Sequence, residues 1–266
     1  MKNTQIISVI NQKGGVGKTT TVINFATALS LQGKKVLVID LDPQGNATTG
    51  FGLSNTNKEN TIYDVLNGSC SFEESIQQTK INNLKIVSSN VDLSGLEVET
   101  ASETRRAFLL KDKITDFISG EKNDFSYILI DCPPSLSLLT IMALVAGKSL
   151  IVPLQAEFFA LEGVSQLIKT IDRIKIKLNP ELGIRGVLLT MFDKRNKLSN
   201  QVEAEARNFF KNKVYQTVIP RNVRLSEAPS HGVPVIIYDK LCSGSKSYIS
   251  FTEEFLKQEL VMESAA

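Results

Sequence analysis

The chain has no tryptophan and only five tyrosines among its 266 residues. It is therefore not a protein that works mainly through aromatic anchors. It has a single histidine, His231, in a Ser-His-Gly turn. One histidine gives no basis for a His-rich metal site or a Ser-His-Asp triad, and a plain surface histidine is the simpler reading. The three cysteines, Cys70, Cys132 and Cys242, stand far apart with no CxxC pair. That argues against a disulfide framework and for reduced thiols in a cytoplasmic setting. The longest apolar stretch, roughly Leu138–Ala146, is well short of the ~18 residues a bilayer span needs. At the start, Lys2 precedes a short apolar run and then polar residues, so no signal peptide is expected. Net charge is +2, which excludes a histone-like polycation.

What is present is a 42% hydrophobic fraction, enough for a sizeable core. We expect one domain over residues 1–260 and a frayed tail over 261–266. The charge is unevenly spread. Lys169 to Arg224 holds 13 basic and 5 acidic residues, a local balance of +8 against −6 elsewhere. Such a segment suits a local anionic partner, though solvated helix faces give the same count.

Short apolar runs alternate with helical segments. Ile6–Ile10, Lys35–Leu41, Ser126–Asp131, Ser149–Pro153, Ile184–Met191 and Val214–Ile219 are predicted strands. Thr19–Gln32, Ser135–Ala146, Leu161–Leu178, Val202–Lys211 and Thr252–Leu260 are predicted helices. This alternation predicts an α/β fold, a mostly parallel twisted sheet with helices on both faces. Asn55–Asn60 reads as a polar loop, and residues 61–120, with weaker strand signals, as decoration of the sheet.

After the first strand comes Lys13-Gly14-Gly15-Val16-Gly17-Lys18-Thr19-Thr20, and then a helix. This is the strand–loop–helix setting of a phosphate cradle. Its glycines let backbone N–H groups converge on phosphate oxygens, and the helix adds its N-terminal partial positive charge. Lys18 reaches the outer phosphates, and the Thr19 hydroxyl suits magnesium. Asp40 and Asp42 end the second strand, and Asp131 ends another. Ligands of open α/β sheets bind beyond the carboxyl ends of the strands, so these acids fall beside the cradle, Asp131 as a magnesium holder through water. Any one of them alone also fits a plain loop cap.

The strict G-x-x-x-x-G-K-[ST] pattern is broken at Gln12, and a lysine follows at Lys13. Lys-Gly-Gly-x-Gly-Lys-Thr is the mark of the deviant Walker ATPases, which the chain resembles. Further blocks narrow the resemblance: Asp40–Thr48 (Asp-Leu-Asp-Pro-Gln-Gly-Asn-Ala-Thr), Asp131–Thr140, Glu157–Gly163 and Val218–Gly232. From about residue 4 to 258 the chain is similar to the ParA/Soj chromosome-partitioning ATPases. That resemblance implies weak ATP hydrolysis with Mg²⁺ and an ATP-driven homodimer with nucleotide between protomers. It also implies sequence-independent binding of double-stranded DNA, stimulation by a ParB-type centromere-binding protein, and a cytoplasmic, nucleoid-associated location without membrane binding. By the same resemblance, Lys13 contacts phosphate across the dimer and Asp42 positions the attacking water. Asp40 supports Mg²⁺ and the switch region, and Pro220 and Asn222 sit against adenine. Arg195 and Arg224 match DNA-contacting positions, with Lys194 and Lys197 beside Arg195 in a loop that can meet phosphates. The less favoured alternative is that Arg221 or Arg224 only braces the Pro220–Asn222 loop. Glu157 and the Phe158-Phe159 pair match a segment near the dimer interface, where an aromatic pair also serves as ordinary core.

Other functions share the phosphate site. A MinD-like membrane organiser needs a basic amphipathic C-terminal helix, whereas Phe251–Leu260 is acidic. An iron–sulfur carrier needs clustered cysteines, and Cys132 has no neighbour in sequence. A tyrosine-kinase module carries a tyrosine-rich tail, which is missing. A ParA-like positioner of another cargo also fits the P-loop, but the match around Arg224 counts against it.

Overall fold

Apolar runs of five to eight residues have only one way to bury both of their faces, in the middle of a covered sheet. The computed structural model, which describes residues 4–53, 60–120, 123–157 and 160–265, has that arrangement. Its strands are β1 (Gln5–Val9), β2 (Val36–Asp40), β3 (Ile76–Gln78), β4 (Leu84–Val87), β5 (Tyr127–Asp131), β6 (Ser149–Gln155) and β7 (Gly183–Thr190). They form one sheet in the order β3-β4-β2-β5-β1-β6-β7. All neighbours are parallel except β3 and β4, which are antiparallel.

Alternate residues feed opposite cores. Ile6, Leu37, Ile39, Ile128 and Ile130 join the layer that holds helices Leu109–Ser119 and Leu138–Ala146. Ile7, Val9, Val36, Val38 and Leu129 join the layer that holds helices Lys18–Leu31 and Ser243–Ala265. The helix after the P-loop is buried on nearly every side from Thr21 to Ser30. It is sandwiched between the sheet and the last helix, with Phe25 packed 4.9 Å from Phe251 and 5.0 Å from Phe255, ring centre to ring centre.

Three expectations need correction. Val214–Ile219 is not a ladder strand. It touches β7 through a bridge at Val187 and single bonds from Tyr215 and Ile219. The Glu254 carboxylate takes the N–H groups of Gln216 (2.7 Å) and Thr217 (2.9 Å), which pulls the middle of the segment away from β7. Residues 61–120 are more than decoration, because β4 pairs directly with β2 inside the sheet. The last helix runs from Ser243 to Ala265, past the predicted end at Leu260. Across that predicted end the Arg185 guanidinium meets Glu259 at 2.7 Å on one side and Met262 Sδ on the other. Among the described residues, no helix is long and apolar enough to cross a membrane.

Candidate active site

The register of the central strands brings the chemistry together. Asp131 at the end of β5 is the partner of Val9 on β1 and of Asp40 on β2. The P-loop therefore leaves β1 beside both acids. Gly15 and Gly17 adopt left-handed backbone, with φ of 73° and 90°, which a side chain would strain. The loop is clamped from two sides. Asn11 Nδ2 donates to Pro153 O at 2.8 Å, and Thr190 Oγ1 donates to Val16 O at 2.8 Å.

Lys18 is buried and donates to Lys13 O at 3.0 Å. Burial lowers its pKa, and Asp131, Cys132 and Asp42 oppose that shift. The Lys13 ammonium, half exposed at the rim, pairs with Glu157 of the same chain. Two residues matched to a dimer interface are thus partners within one protomer. Phe158 and Phe159 lie outside the described residues.

Asp40 is fully buried and accepts from Thr48 N (2.8 Å), Thr48 Oγ1 (2.7 Å) and Asp42 N (3.2 Å). Burial still pushes its pKa up to about 6. Asp42 reaches the cleft wall and accepts from Gln44 N at 3.0 Å. Asp131 is fully buried, and its two carboxylate oxygens lack a hydrogen-bond partner among the described residues. Its pKa is raised by burial and then by Asp40, while the neighbouring Thr19 side chain favours the charge without closing a full hydrogen bond. An orphaned buried carboxylate beside a threonine hydroxyl fits a hard, oxygen-seeking cation. No group of three or more His, Cys, Asp or Glu able to hold a metal occurs among the described residues. A cation here would thus depend on phosphate and water as well, which is the habit of Mg²⁺.

Two clefts adjoin at this edge. One, of about 500 Å³, is lined by Gly14, Gly15, Gly17, Lys18, Thr19, Thr20 and Asp42, with Met191, Pro229 and Ser230 opposite. The second, of about 230 Å³, shares Gly17, Thr20, Met191 and Pro229 and adds Pro220, Asn222 and Tyr248. A phosphate chain fits the first and a base the second. Met191, Pro229 and Ser230 were not singled out from sequence. Position just beyond β7 was the available signal for Met191, and membership of the Val218–Gly232 block was the signal for the other two.

The family model described as an AAA domain matches residues 4–184. The chromosome partitioning protein ParA of Caulobacter vibrioides is 48% identical over 255 residues, covering 96% of this chain and 95% of that protein. The chain belongs to the ParA/Soj chromosome-partitioning ATPases. The sporulation initiation inhibitor protein Soj of Bacillus subtilis is 46% identical, over 94% of this chain and 97% of its own. Among solved structures, cobyrinic acid a,c-diamide synthase from Mycobacterium smegmatis, with bound ATP analogue and magnesium, aligns with a TM-score of 0.84. Its identity is 33%, over 96% of this chain and 94% of that one. This ParA/Soj-type protein is accordingly an ATP-hydrolysing enzyme that uses ATP with Mg²⁺.

The basic residues matched to DNA contacts in this ParA/Soj-type ATPase lie on two stretches, each a loop running into a helix, that touch each other. Phe192 bridges to Pro220, and Arg221 N donates to Phe192 O at 3.2 Å. Lys194 and Arg195 are exposed on the first loop, and Lys197, expected in that loop, is exposed as the opening residue of the helix Lys197–Phe210 that follows it. The Arg195 side chain is 90% exposed and paired with Asp193. On the second stretch Arg224, in the short helix Val223–Glu227, is exposed but braced by Glu227 at 2.8 Å and Asp239 at 3.5 Å. Asn222 Oδ1 caps Arg224 N at 2.8 Å, and Asn222 Nδ2 reaches Ser243 Oγ at 2.7 Å.

Proposed function

We propose that the chain is a nucleotide-switched DNA-binding ATPase. In this reading, ATP drives a homodimer that grips double-stranded DNA without sequence preference. A ParB-type partner then stimulates hydrolysis, and the DNA is released. The observation that supports the reading is that one short stretch borders both the smaller cleft and the exposed basic surface. Pro220 and Asn222 line the smaller cleft, while Arg221 and Arg224 between and beyond them are exposed beside Lys194, Arg195 and Lys197. Nucleotide at the cleft and phosphate at the surface thus act on the same few residues. Backbone-phosphate contacts of this kind are sequence-independent and salt-sensitive.

At the site, P-loop N–H groups and Lys18 hold the outer phosphates, and the Thr19 hydroxyl and the Asp131 carboxylate would hold Mg²⁺. Bound Mg²⁺ supplies charge neutralisation at the phosphates. Asp42 orients the attacking water, and Asp40 fixes Asp42 through the hydrogen bond from its backbone N–H. Lys13 completes the charge clamp of the partner protomer. To do so it must leave Glu157, so the ion pair within the protomer is exchanged on dimerisation. The Asp42→Ala variant should keep ATP affinity, lose hydrolysis and stay on DNA; undiminished hydrolysis would move the water-positioning role elsewhere.

The direct test is binding to a random-sequence duplex with ATP and with ADP, at low and high salt, for wild type and Arg224→Ala. Binding that needs ATP, falls with salt and is lost in the variant supports the reading. No binding with either nucleotide rejects DNA as the track and leaves only the ATPase.

A further inference from the structure

The helix that begins in the P-loop ends at a third cavity, about 440 Å³ in volume. Phe51, Ile81, Val233 and Pro234 supply apolar wall, and Leu31 and Ile237 stand half open at its edge, 56% and 50% exposed. Lys80, Asn82 and Asn83 supply the polar side. No carboxylate lines the cavity among the described residues. Lys80 is exposed and takes part in no ion pair among them. Its volume lies within the ~300–1,000 Å³ range of small-molecule sites. An apolar body seated on the Phe51 side and an anionic head met by Lys80 and the two asparagines would satisfy every wall.

Three structural elements line both this cavity and the nucleotide cleft. The P-loop helix presents Lys18, Thr19, Thr20 and Ile23 to the nucleotide cleft and Ser30 and Leu31 to the cavity. The segment after Asp42 presents Asn46 and Thr49 to the first and Phe51 to the second. The segment 229–234 presents Pro229 and Ser230 to the first and Gly232 to Pro234 to the second. The last two segments touch at Gly52 and Gly232. A Cβ on Gly52 would lie 2.6 Å from Gly232 O, and one on Gly232 would lie 2.7 Å from Gly52 Cα. Both glycines have positive φ, 76° and 62°. With backbone against backbone there is no side chain to absorb a shift, so movement of one segment is passed to the other.

We propose that this cavity is a second ligand site, for a small amphiphilic anion, and that its occupancy is coupled to nucleotide at the P-loop. The coupling is reciprocal: a ligand that favours the ATP-bound arrangement is itself bound more tightly when ATP is present.

The test is titration of the full-length protein with anilinonaphthalene sulfonate, followed by fluorescence, without nucleotide and with Mg-ATP. The uncharged phenylnaphthylamine is run in parallel. The sulfonate is expected to bind at one site, several-fold more tightly than the uncharged probe. Ile237→Trp, which fills the edge, and Lys80→Glu, which reverses the charge, are each expected to weaken it on the order of tenfold. Both positions are exposed enough to leave folding intact, and neither variant alters ATP affinity in the absence of probe. Mg-ATP is expected to change the probe Kd by a factor of about 3 or more, and saturating probe to change ATP affinity by the same factor. Probe binding that survives both variants, equal binding of the uncharged probe, or full displacement by ATP with no effect of Ile237→Trp overturns the site. Binding lost in both variants but indifferent to nucleotide overturns the coupling.

Discussion

The ends of β2 and β5 lie side by side, in register, and each finishes in a fully buried aspartate. Their surroundings are opposite. Asp40 takes three hydrogen bonds from Thr48 and Asp42, and Ser89 N in turn donates to Thr48 Oγ1 at 3.1 Å. Asp131 takes none among the described residues. Two identical side chains at one sheet edge have thus been put to different uses. Asp40 ties the segment after β2 to the residues just beyond β4, and Asp131 is left without a partner among the described residues. Fold energy is invested in the first, while the second is a standing cost that a bound cation would relieve.

Substitutions can break that comparison. Asp40→Ala leaves the Thr48 and Asp42 N–H groups unsatisfied and should cost about 2–4 kcal/mol of stability in urea unfolding. If Asp131→Ala cost as much without nucleotide, the contrast would be gone. Asp131→Asn should instead keep or raise stability while lowering Mg²⁺-dependent ATPase activity on the order of 10–100-fold, read as kcat over a magnesium titration. An unchanged magnesium dependence would put the cation elsewhere.

The pH profile sharpens the same point. Burial raises both carboxyls above their unfolded values, Asp40 to about 6. The folded state therefore binds protons more readily than the unfolded chain. Stability from these groups is greatest below the unfolded pKa of ~3.9 and falls as pH rises above it, for Asp40 through about 6. Without nucleotide, the Tm of wild type should decline relative to Asp131→Asn as pH rises above that unfolded value. Parallel curves would mean that Asp131 carries no such cost. The smallest effect is expected from Thr48→Val, about 1 kcal/mol, with reduced hydrolysis at unchanged ATP affinity. An effect on ATP affinity alone would show that Thr48 acts on the cleft directly rather than through Asp40.

Much of this was legible because it is local. The glycines at 15 and 17 announce left-handed turns, and Lys18 and Thr19 follow at fixed spacing on the opening turn of a helix. Apolar runs ending in Asp40 and Asp131 announce acids at the carboxyl edge of a sheet. The failures were also local readings. Val214–Ile219 has strand composition, yet Glu254, far along the chain on the last helix, takes two of its N–H groups. β4 is weakly apolar in its own window, with Lys85 in its middle, and still lies within the sheet because β2 needs a partner on that side. The last helix outruns its apolar signal because Arg185 holds its final turns.

By itself, then, the sequence determined that this is a P-loop α/β protein with a phosphate cradle, acids at two strand ends and a basic stretch before Arg224. Each of these rests on backbone propensity or on residues a few positions apart. Tertiary structure alone decided that Asp131 lies beside Asp40 with no hydrogen-bond partner of its own among the described residues, that Lys13 meets Glu157, and that Pro220 and Asn222 share a cleft with Gly17. It alone decided that Gly52 meets Gly232 between two cavities. Those facts depend on strand order and register, which bring together residues tens to hundreds of positions apart, and no pattern within a short window encodes such a meeting.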